Sequence, residues 1–304
     1  MMLYVLVLVT LTGLVVGDFD QELHAKYLTM STSDFIKYFN EQDYSWKMAQ
    51  NDNVNVKHAA CVNLDFEAFE NLPLLTHDLE ATDLPENFDS RVKWPQCETI
   101  NEIYNQGDCG SCWTFGTATP ASDRTCIHKD VHVRLSEEDF ECCQDNVCDG
   151  GEPIQAFQFW KESGLVTLEC KPYNVDELLE NKCVTECVHS TINYTQDKHF
   201  ADNIYKISNE SDQIKAELVN NGPIQASFTV YADFRDYKSG IYEHKYGEKL
   251  DHHSVRVIGY GVENGTNYWL AANSWGTERF GDKGCYHHCN FAAKIEKIII
   301  HHEN

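Results

Sequence analysis

Cys112 follows the run Gln106-Gly107-Asp108-Cys109-Gly110-Ser111, where a turn-rich stretch gives way to the helix-like Trp113-Thr114-Phe115-Gly116. A cysteine at a helix start has unsatisfied backbone N–H groups and the positive end of the helix dipole beside it, and both favour thiolate over thiol. With a histidine alongside, such a sulfur is a nucleophile at ordinary pH. Gln106 lies far enough upstream for its side-chain amide to fold back beside the sulfur, where it and the N–H of Cys112 would form an oxyanion hole. Taken alone, Cys109 and Cys112 also fit a structural half-cystine pair or a redox dithiol, so the nucleophile needs partners elsewhere in the chain.

Those partners must come from a facing wall, because a thiol nucleophile needs a base and the base needs an orienting group. Leu250-Asp251-His252-His253-Ser254-Val255-Arg256 leads into a strand, and Asn273-Ser274-Trp275-Gly276 ends a later one. The segment between them has the pattern strand, turn, strand. Such a hairpin brings a histidine and an asparagine distant in sequence within hydrogen-bonding reach, and Trp275 would shield that bond from water. Alternation along a strand turns His252 away if His253 faces the cleft, so on pattern alone the two compete as the base.

Positioning these groups takes two halves. Past Cys112 a helix is expected through Asp123 to about Cys126. Pro120 removes one backbone bond and crowds the carbonyl four residues back, but that residue is Gly116, so a bend is expected and not a break. Ser136, followed three positions on by Asp139, marks a capping-box-like helix start. Gly150-Gly151 would let the backbone approach a bound peptide closely, and residues 156–160 are helical in pattern. From about residue 198 the texture changes to short β-branched or aromatic runs at 228–231, 255–261, 268–271 and 295–300, preceded by a helix over 211–220. The expected fold class is α+β, a helical half and a β-rich half meeting in a cleft with Cys112 on one wall.

The chain has 304 residues, 42% of them hydrophobic, and a formal net charge of −24. That suffices for one two-lobed enzyme plus a leader, and the charge argues against nucleic acid or an anionic membrane as partner. The 13 cysteines suggest a disulfide framework with at least one unpaired thiol. The triplets beginning at Asn193, Asn209 and Asn264 are glycosylation candidates that fit a secretory route. Residues 1–17 have the character of a signal peptide, with an uncleaved anchor as the alternative. In the acidic segment that follows, Ser33 is a cap candidate and Phe35, Ile36 and Phe39 fall on one helix face; a separate N-terminal helical domain would fit equally.

The stretch around Cys112 and the run from His253 to Trp275 resemble the active-site motifs of papain-like cysteine proteases, and of their cathepsin B branch nearly position for position. The likeness covers most of the chain after about residue 33. It implies a papain-like two-lobe fold, with a helical left lobe over about 98–190 and a β-barrel-like right lobe over 191–304. It implies a signal peptide (1–17), a propeptide (18–83) whose helix docks on the enzyme while an extended strand covers the cleft, and a mature protease (84–304). It makes Cys112 the nucleophile, His253 the base, Asn273 its orienter and Gln106 an oxyanion donor, with Gly150, Gly151 and Trp275 lining the substrate. It implies the disulfides Cys97–Cys126, Cys109–Cys148, Cys142–Cys183 and Cys170–Cys187, and leaves Cys61, Cys143, Cys285 and Cys289 unassigned. Its partners would be peptide or protein substrates, its own propeptide as inhibitor, and cystatin-like inhibitors. The enzyme would be a monomer without cofactor, off the membrane after signal cleavage, and secreted or lysosomal/vacuolar.

Three departures from that branch alter the forecast. The segment between Cys170 and Cys183 is much shorter than in cathepsin B, where it forms an occluding loop with a His-His pair that blocks the primed side and captures a C-terminal carboxylate. Its loss implies endopeptidase activity with little dipeptidyl carboxypeptidase activity. Residues 276–281 hold one residue more than the family pattern and place Phe280 where tryptophan is usual. Residues 284–289 are shorter, and counting from Cys289 puts Lys294 near the floor of the S2 pocket, which would favour acidic P2 residues; an exposed strand lysine is the plain alternative. Cys285, His287, His288 and Cys289, with His301 and His302, are zinc-type ligands, but adjacent His287 and His288 would point to opposite sides of a strand, so no metal is expected. The competing functional class is a catalytically weak homologue serving as a secreted binding or adhesion protein. The joint presence of Gln106, Cys112, His253 and Asn273 favours the enzyme.

Overall fold

The structure is a computed structural model and describes residues 19–51, 62, 69, 71–80, 83–142, 144–179, 183–276, 290–293 and 301–303. Helices α1 (Gln21–Thr29) and α2 (Thr32–Glu41) come first, then strands β1 (Trp46–Met48), β2 (Leu74–Leu75) and β3 (Phe88–Asp89) and the single turn α3 (Ser90–Lys93). The helical half follows with α4 (Cys112–Lys129), α5 (Glu138–Glu141), α6 (Pro153–Ser163) and α7 (Val175–Leu179). The rest is β4 (Ile204–Ile207), α8 (Ser211–Asn221), β5 (Ile224–Tyr231), β6 (Tyr237–Tyr242), β7 (Lys249–Glu263), β8 (Thr266–Ala272), β9 (Asn290–Ala293) and β10 (His301–Glu303).

Helix α4 is buried on every side from Cys112 to Cys126 although its sequence is rich in hydroxyls. Those hydroxyls are satisfied within the helix. Thr117, Thr119 and Ser122 donate to the carbonyls of Trp113, Phe115 and Ala118 at 3.0, 2.7 and 2.7 Å, so none enters the interior without a partner. The helix passes through Pro120 unbroken and continues past the expected end to a left-handed cap at Asp130, φ 53°, with His128 and Lys129 in its last turn. Two consecutive residues tie it to the β-rich half. Asp123 accepts from Arg256 of β7 at 2.8 Å, and Arg124 donates to Glu217 of α8 at 2.6 Å, all four being buried.

The larger sheet has the order β1-β6-β9-β8-β7-β3, with β5 pairing β7 off that path; the smaller runs β10-β4-β2. Strands β7 and β8 form the expected hairpin. Its turn is Asn264-Gly265, with φ of 50° and 78°, as a two-residue loop between twisted strands requires. Among the described residues the larger sheet is open, with no pairing between its end strands β1 and β3, which corrects the expectation of a barrel-like lobe. Helix α2 is capped by Ser31, whose Oγ accepts from Asp34 N, and not by Ser33. Phe35 and Phe39 are buried, Phe39 against Trp46 (4.5 Å between centroids) and Phe35 against Tyr246 (4.8 Å). This N-terminal segment therefore shares its core with the sheet, to which it also contributes β1 beside β6.

Disulfides join Cys97 to Cys126, Cys109 to Cys148 and Cys170 to Cys187. The expected Cys142–Cys183 bond is corrected: Cys142 carries a thiol, and Cys183 is disulfide-bonded. Cys142 faces inward, 2.7 Å from Lys171 Nζ, whereas Cys183 is exposed. Residues 1–17, Cys61, Cys143, Phe280, Cys285, His287, His288, Cys289 and Lys294 lie outside the described residues. Among the described residues, no helix is long and apolar enough to cross a membrane.

Around α5 the chain buries Glu137, Glu138, Asp139 and Glu141. Ser136 Oγ accepts from Asp139 N at 3.3 Å, but the Asp139 carboxylate turns to Lys198, Tyr194 and Val166 N, so only half of a capping box forms. Burial pushes Glu137 up to about 7, with Arg134 opposing, and pushes Glu141 well above the usual range. A raised folded-state pKa gives stability that is complete below the unfolded value near 4.5 and is lost as pH rises through about 7. For Glu137 the loss should approach about 3 kcal/mol. The urea midpoint should therefore fall between pH 4.5 and 7.5, and Glu137→Gln should flatten that fall; a midpoint that climbs over the interval in both proteins would refute the assignment.

Candidate active site

Cys112 is the first residue of α4 and fully buried. Its turn is clamped to the neighbouring loop by the Cys109–Cys148 disulfide and by Gly110 N donating to Cys148 O at 2.9 Å. One turn along α4, a Cβ at Gly116 would run into Ser254 Oγ, so the helix backbone packs directly on the side chain that follows His253 in β7.

His253 is fully buried, and its Nε2–H donates to Asn273 Oδ1 at 2.8 Å. Ser274 N donates to the same oxygen at 2.8 Å. The Ser274 N–H fixes this atom as the Asn273 oxygen, and an oxygen can only accept, so His253 Nε2 carries a proton. The Trp275 ring, fully buried, lies 4.8 Å from the His253 ring and 5.6 Å from Phe234. It covers the His253–Asn273 pair instead of lining an open surface. His252 points elsewhere: its Nε2 is 3.0 Å from Lys249 Nζ, and burial with that lysine holds it below the ordinary histidine range.

Gln106 belongs to both motifs. Residues 104–106 run alongside 274–276, with Gln106 N donating to Ser274 O and Gly276 N to Tyr104 O, both at 2.8 Å. Its side chain is held at both ends, Nε2 donating to Cys109 O (2.8 Å) and Oε1 accepting from Ser274 Oγ (2.6 Å). Gly150 has φ 103°, and a Cβ at Gly151 would collide with the Trp113 indole, so both positions need glycine. Gly151 forms a parallel bridge with Val62, whose N–H also donates to His252 O at 3.0 Å. The buried Val62 thus spans from one wall to the other and belongs to the same apolar cluster as Cys112 and Trp113.

Contacts tie Gln106 to Cys109 and Ser274, His253 to Asn273 and Trp275, and Gly151 through Val62 to His252, while Lys294 falls outside the described residues. Sequence reasoning missed Ser274, Tyr173 and Val62. Ser274 had a signal in its place between Asn273 and Trp275; the other two had none. Among the described residues, no group of three or more His, Cys, Asp or Glu side chains is disposed to hold a metal ion.

A thiol at a helix start and an asparagine-bound imidazole on the facing strand define a two-lobed cysteine protease. The sequence profile of papain family cysteine proteases matches residues 84–299, and the chain belongs to that family. Its relatives are cathepsin B-like. Cathepsin B-like cysteine proteinase 5 of Caenorhabditis elegans is 40% identical over 254 residues, 71% of this chain and 74% of the relative. Proteinase 4 of the same organism is 36% identical over 285 residues, 82% and 85% of the two chains. The solved procathepsin B S9 of Trypanosoma congolense superposes with a TM-score of 0.79 at 29% identity, covering 90% of this chain and 98% of that one.

Proposed function

We propose that the protein is an endopeptidase made as a zymogen and acting through a thiolate–imidazolium pair. The observation that carries this reading is the buried His253–Asn273 bond under Trp275, with Ser254, the next residue, packed on Gly116 one helical turn past Cys112. The Cys112 thiolate attacks the peptide carbonyl, and the oxyanion takes hydrogen bonds from Cys112 N–H and Gln106 Nε2. With Nε2–H committed to Asn273, the Nδ1 proton of the imidazolium passes to the leaving amine. His253 then takes a proton from water, which hydrolyses the thioester.

Residues 18–83 act as the propeptide, with Val62 seated in the cleft, and processing near Leu84 yields the mature enzyme. Residues 1–17 direct the chain into the secretory pathway, towards secretion or a lysosome/vacuole. The exposed Asn193, Asn209 and Asn264 are open to glycosylation there. The mature enzyme is a monomer open to cystatin-like inhibitors. The test is labelling of the acid-processed protein with a thiol-directed peptidyl epoxide. The adduct should map to Cys112; neither labelling nor peptide cleavage would leave a binding protein as the better account.

The short segment after Cys170 carries no counterpart of the blocking His-His pair. Internal cleavage of an N-terminally blocked peptide should therefore outpace release of its C-terminal dipeptide. Rapid dipeptide release would overturn this. Lys294 at the S2 floor would favour Glu over Arg at P2, and equal cleavage of the two would remove that role.

A further inference from the structure

The hydroxyl of Tyr173 stands between the two segments that flank the proposed oxyanion hole. It donates to the Gln106 carbonyl at 2.9 Å, and Ser111 Oγ lies 2.8 Å from the same phenol oxygen. A phenol has one proton. With that proton on Gln106 O, the serine must be the donor in the second bond, so the relay runs from Ser111 through Tyr173 to Gln106. Ser111 is the N-cap of α4, yet its side chain makes no capping bond. An N-cap serine ordinarily answers a first-turn N–H; here its hydroxyl is turned to Tyr173.

The phenol is held firmly. Its ring meets Phe115 edge-on at 4.8 Å, the Cys170–Cys187 disulfide precedes it, and Asn174 N donates to Glu138 Oε2 at 3.0 Å just after it. Burial, with the Glu141, Glu137 and Glu138 carboxyls nearby, pushes its pKa up, so the hydroxyl stays a donor. Further contacts of Gln106 include bonds to Ser274 and to Cys109. Tyr173 adds the tie to the residue that precedes the nucleophile.

We propose that Tyr173 is a positioning residue of the reaction: its hydroxyl sets the spacing between the two oxyanion donors, Gln106 Nε2 and Cys112 N–H. The inference rests on the protease reading above. An oxyanion donor acts in the transition state and not on the bound substrate, so misplacing it lowers kcat and leaves KM nearly unchanged. Losing one donor outright costs about 10²- to 10³-fold. A displaced donor should cost less, about 10- to 10²-fold.

The test uses acid-processed enzyme carrying Tyr173→Phe or Ser111→Ala, compared with wild type. Besides kcat and KM, it reads the affinity of a peptide aldehyde, whose hemithioacetal oxygen occupies the hole, and the rate of Cys112 alkylation by iodoacetamide, which needs the thiolate but not the hole. Both variants should lose kcat and aldehyde affinity by similar factors at nearly constant KM, with alkylation unchanged. Adding Tyr173→Phe to Gln106→Ala should cost little more than Gln106→Ala alone. Wild-type kcat in Tyr173→Phe, additive losses with Gln106→Ala, or a parallel fall in alkylation would each overturn the proposal. Ser111→Ala leaves the tyrosine ring in place and gives the answer if Tyr173→Phe does not fold. A wild type that cleaves no peptide and alkylates slowly would fail at the protease reading itself, whereas an active wild type matched by both variants fails only the role of Tyr173.

Discussion

Replacing Cys112 with alanine is expected to abolish peptide cleavage, a fall of about 10⁴-fold or more in kcat/KM. Alanine is the best helix former, so the first residue of α4 can accept it without unwinding the helix. The disulfide at Cys109, the Asn273–His253 bond and the Trp275 cover involve other atoms and should persist. What disappears is the only atom proposed to attack the carbonyl. His253→Ala should lose nearly as much, because the thiolate depends on its partner. The double variant should be little worse than either single one, since the two groups act as a unit. Active-site titration alongside steady-state rates on processed protein checks this, and cleavage by Cys112→Ala above the reagent blank would contradict it. Any processing that the chain performs on itself should stop as well, leaving a full-length, folded precursor.

Glu217→Ala is expected to destabilise the protein by about 3–5 kcal/mol. The carboxylate is fully buried and accepts from Arg124 Nη2 (2.6 Å), Tyr205 Oη (2.8 Å) and Asn221 Nδ2 (2.9 Å), with His77 Nε2 at 2.6 Å. Arg124 itself is 2% exposed, and its remaining contacts include the carbonyls of Pro223 and Gly222 and the Tyr205 hydroxyl. Those dipoles cannot replace a full negative charge, so the variant keeps a cation in a nearly dry interior. The loss is a large part of the 5–15 kcal/mol that a typical protein has in total. Urea unfolding of the precursor measures it, with Glu217→Gln as the milder control that retains hydrogen bonds. A change below about 1 kcal/mol would show that water or local rearrangement neutralises Arg124. The His77 ring would also lose its carboxylate partner, leaving the two backbone bonds to Gln213 to hold the segment before residue 84, which should become easier for an added protease to cut.

The proposed reacting groups could be picked out because their chemistry restricts both residue type and order. A helix-start cysteine, an upstream glutamine, and a histidine and asparagine at the two ends of a hairpin leave few alternatives, and the turn at Asn264-Gly265 is visible in the chain itself. The choice of His253 over His252 needed strand alternation and the family likeness together, and the separate bond of His252 to Lys249 shows why two adjacent imidazoles are not equivalent. Other features depend on tertiary contacts that sequence spacing does not encode. Tyr173 reaches Ser111 across 62 positions. Glu137 and Glu141 look like an acidic helix start, yet they are inside. Cys142 departs from the family pairing and lies instead against the Lys171 ammonium. The open edge of the larger sheet was missed because alternation identifies strands but not whether the last one finds the first.

The pairing of β1 with β6 has a consequence for the proposed processing near residue 84. Removing the chain before residue 84 would take Trp46, Phe35 and Phe39 off Tyr237, Tyr242 and Tyr246, and would bare one backbone edge of β6. Activation would then create a sticky aromatic shelf beside an unzipped seam, the kind of surface that recruits stray chains. Keeping the shed fragment nearby would act as a built-in chaperone, and its disposal should decide how long the mature enzyme stays in solution.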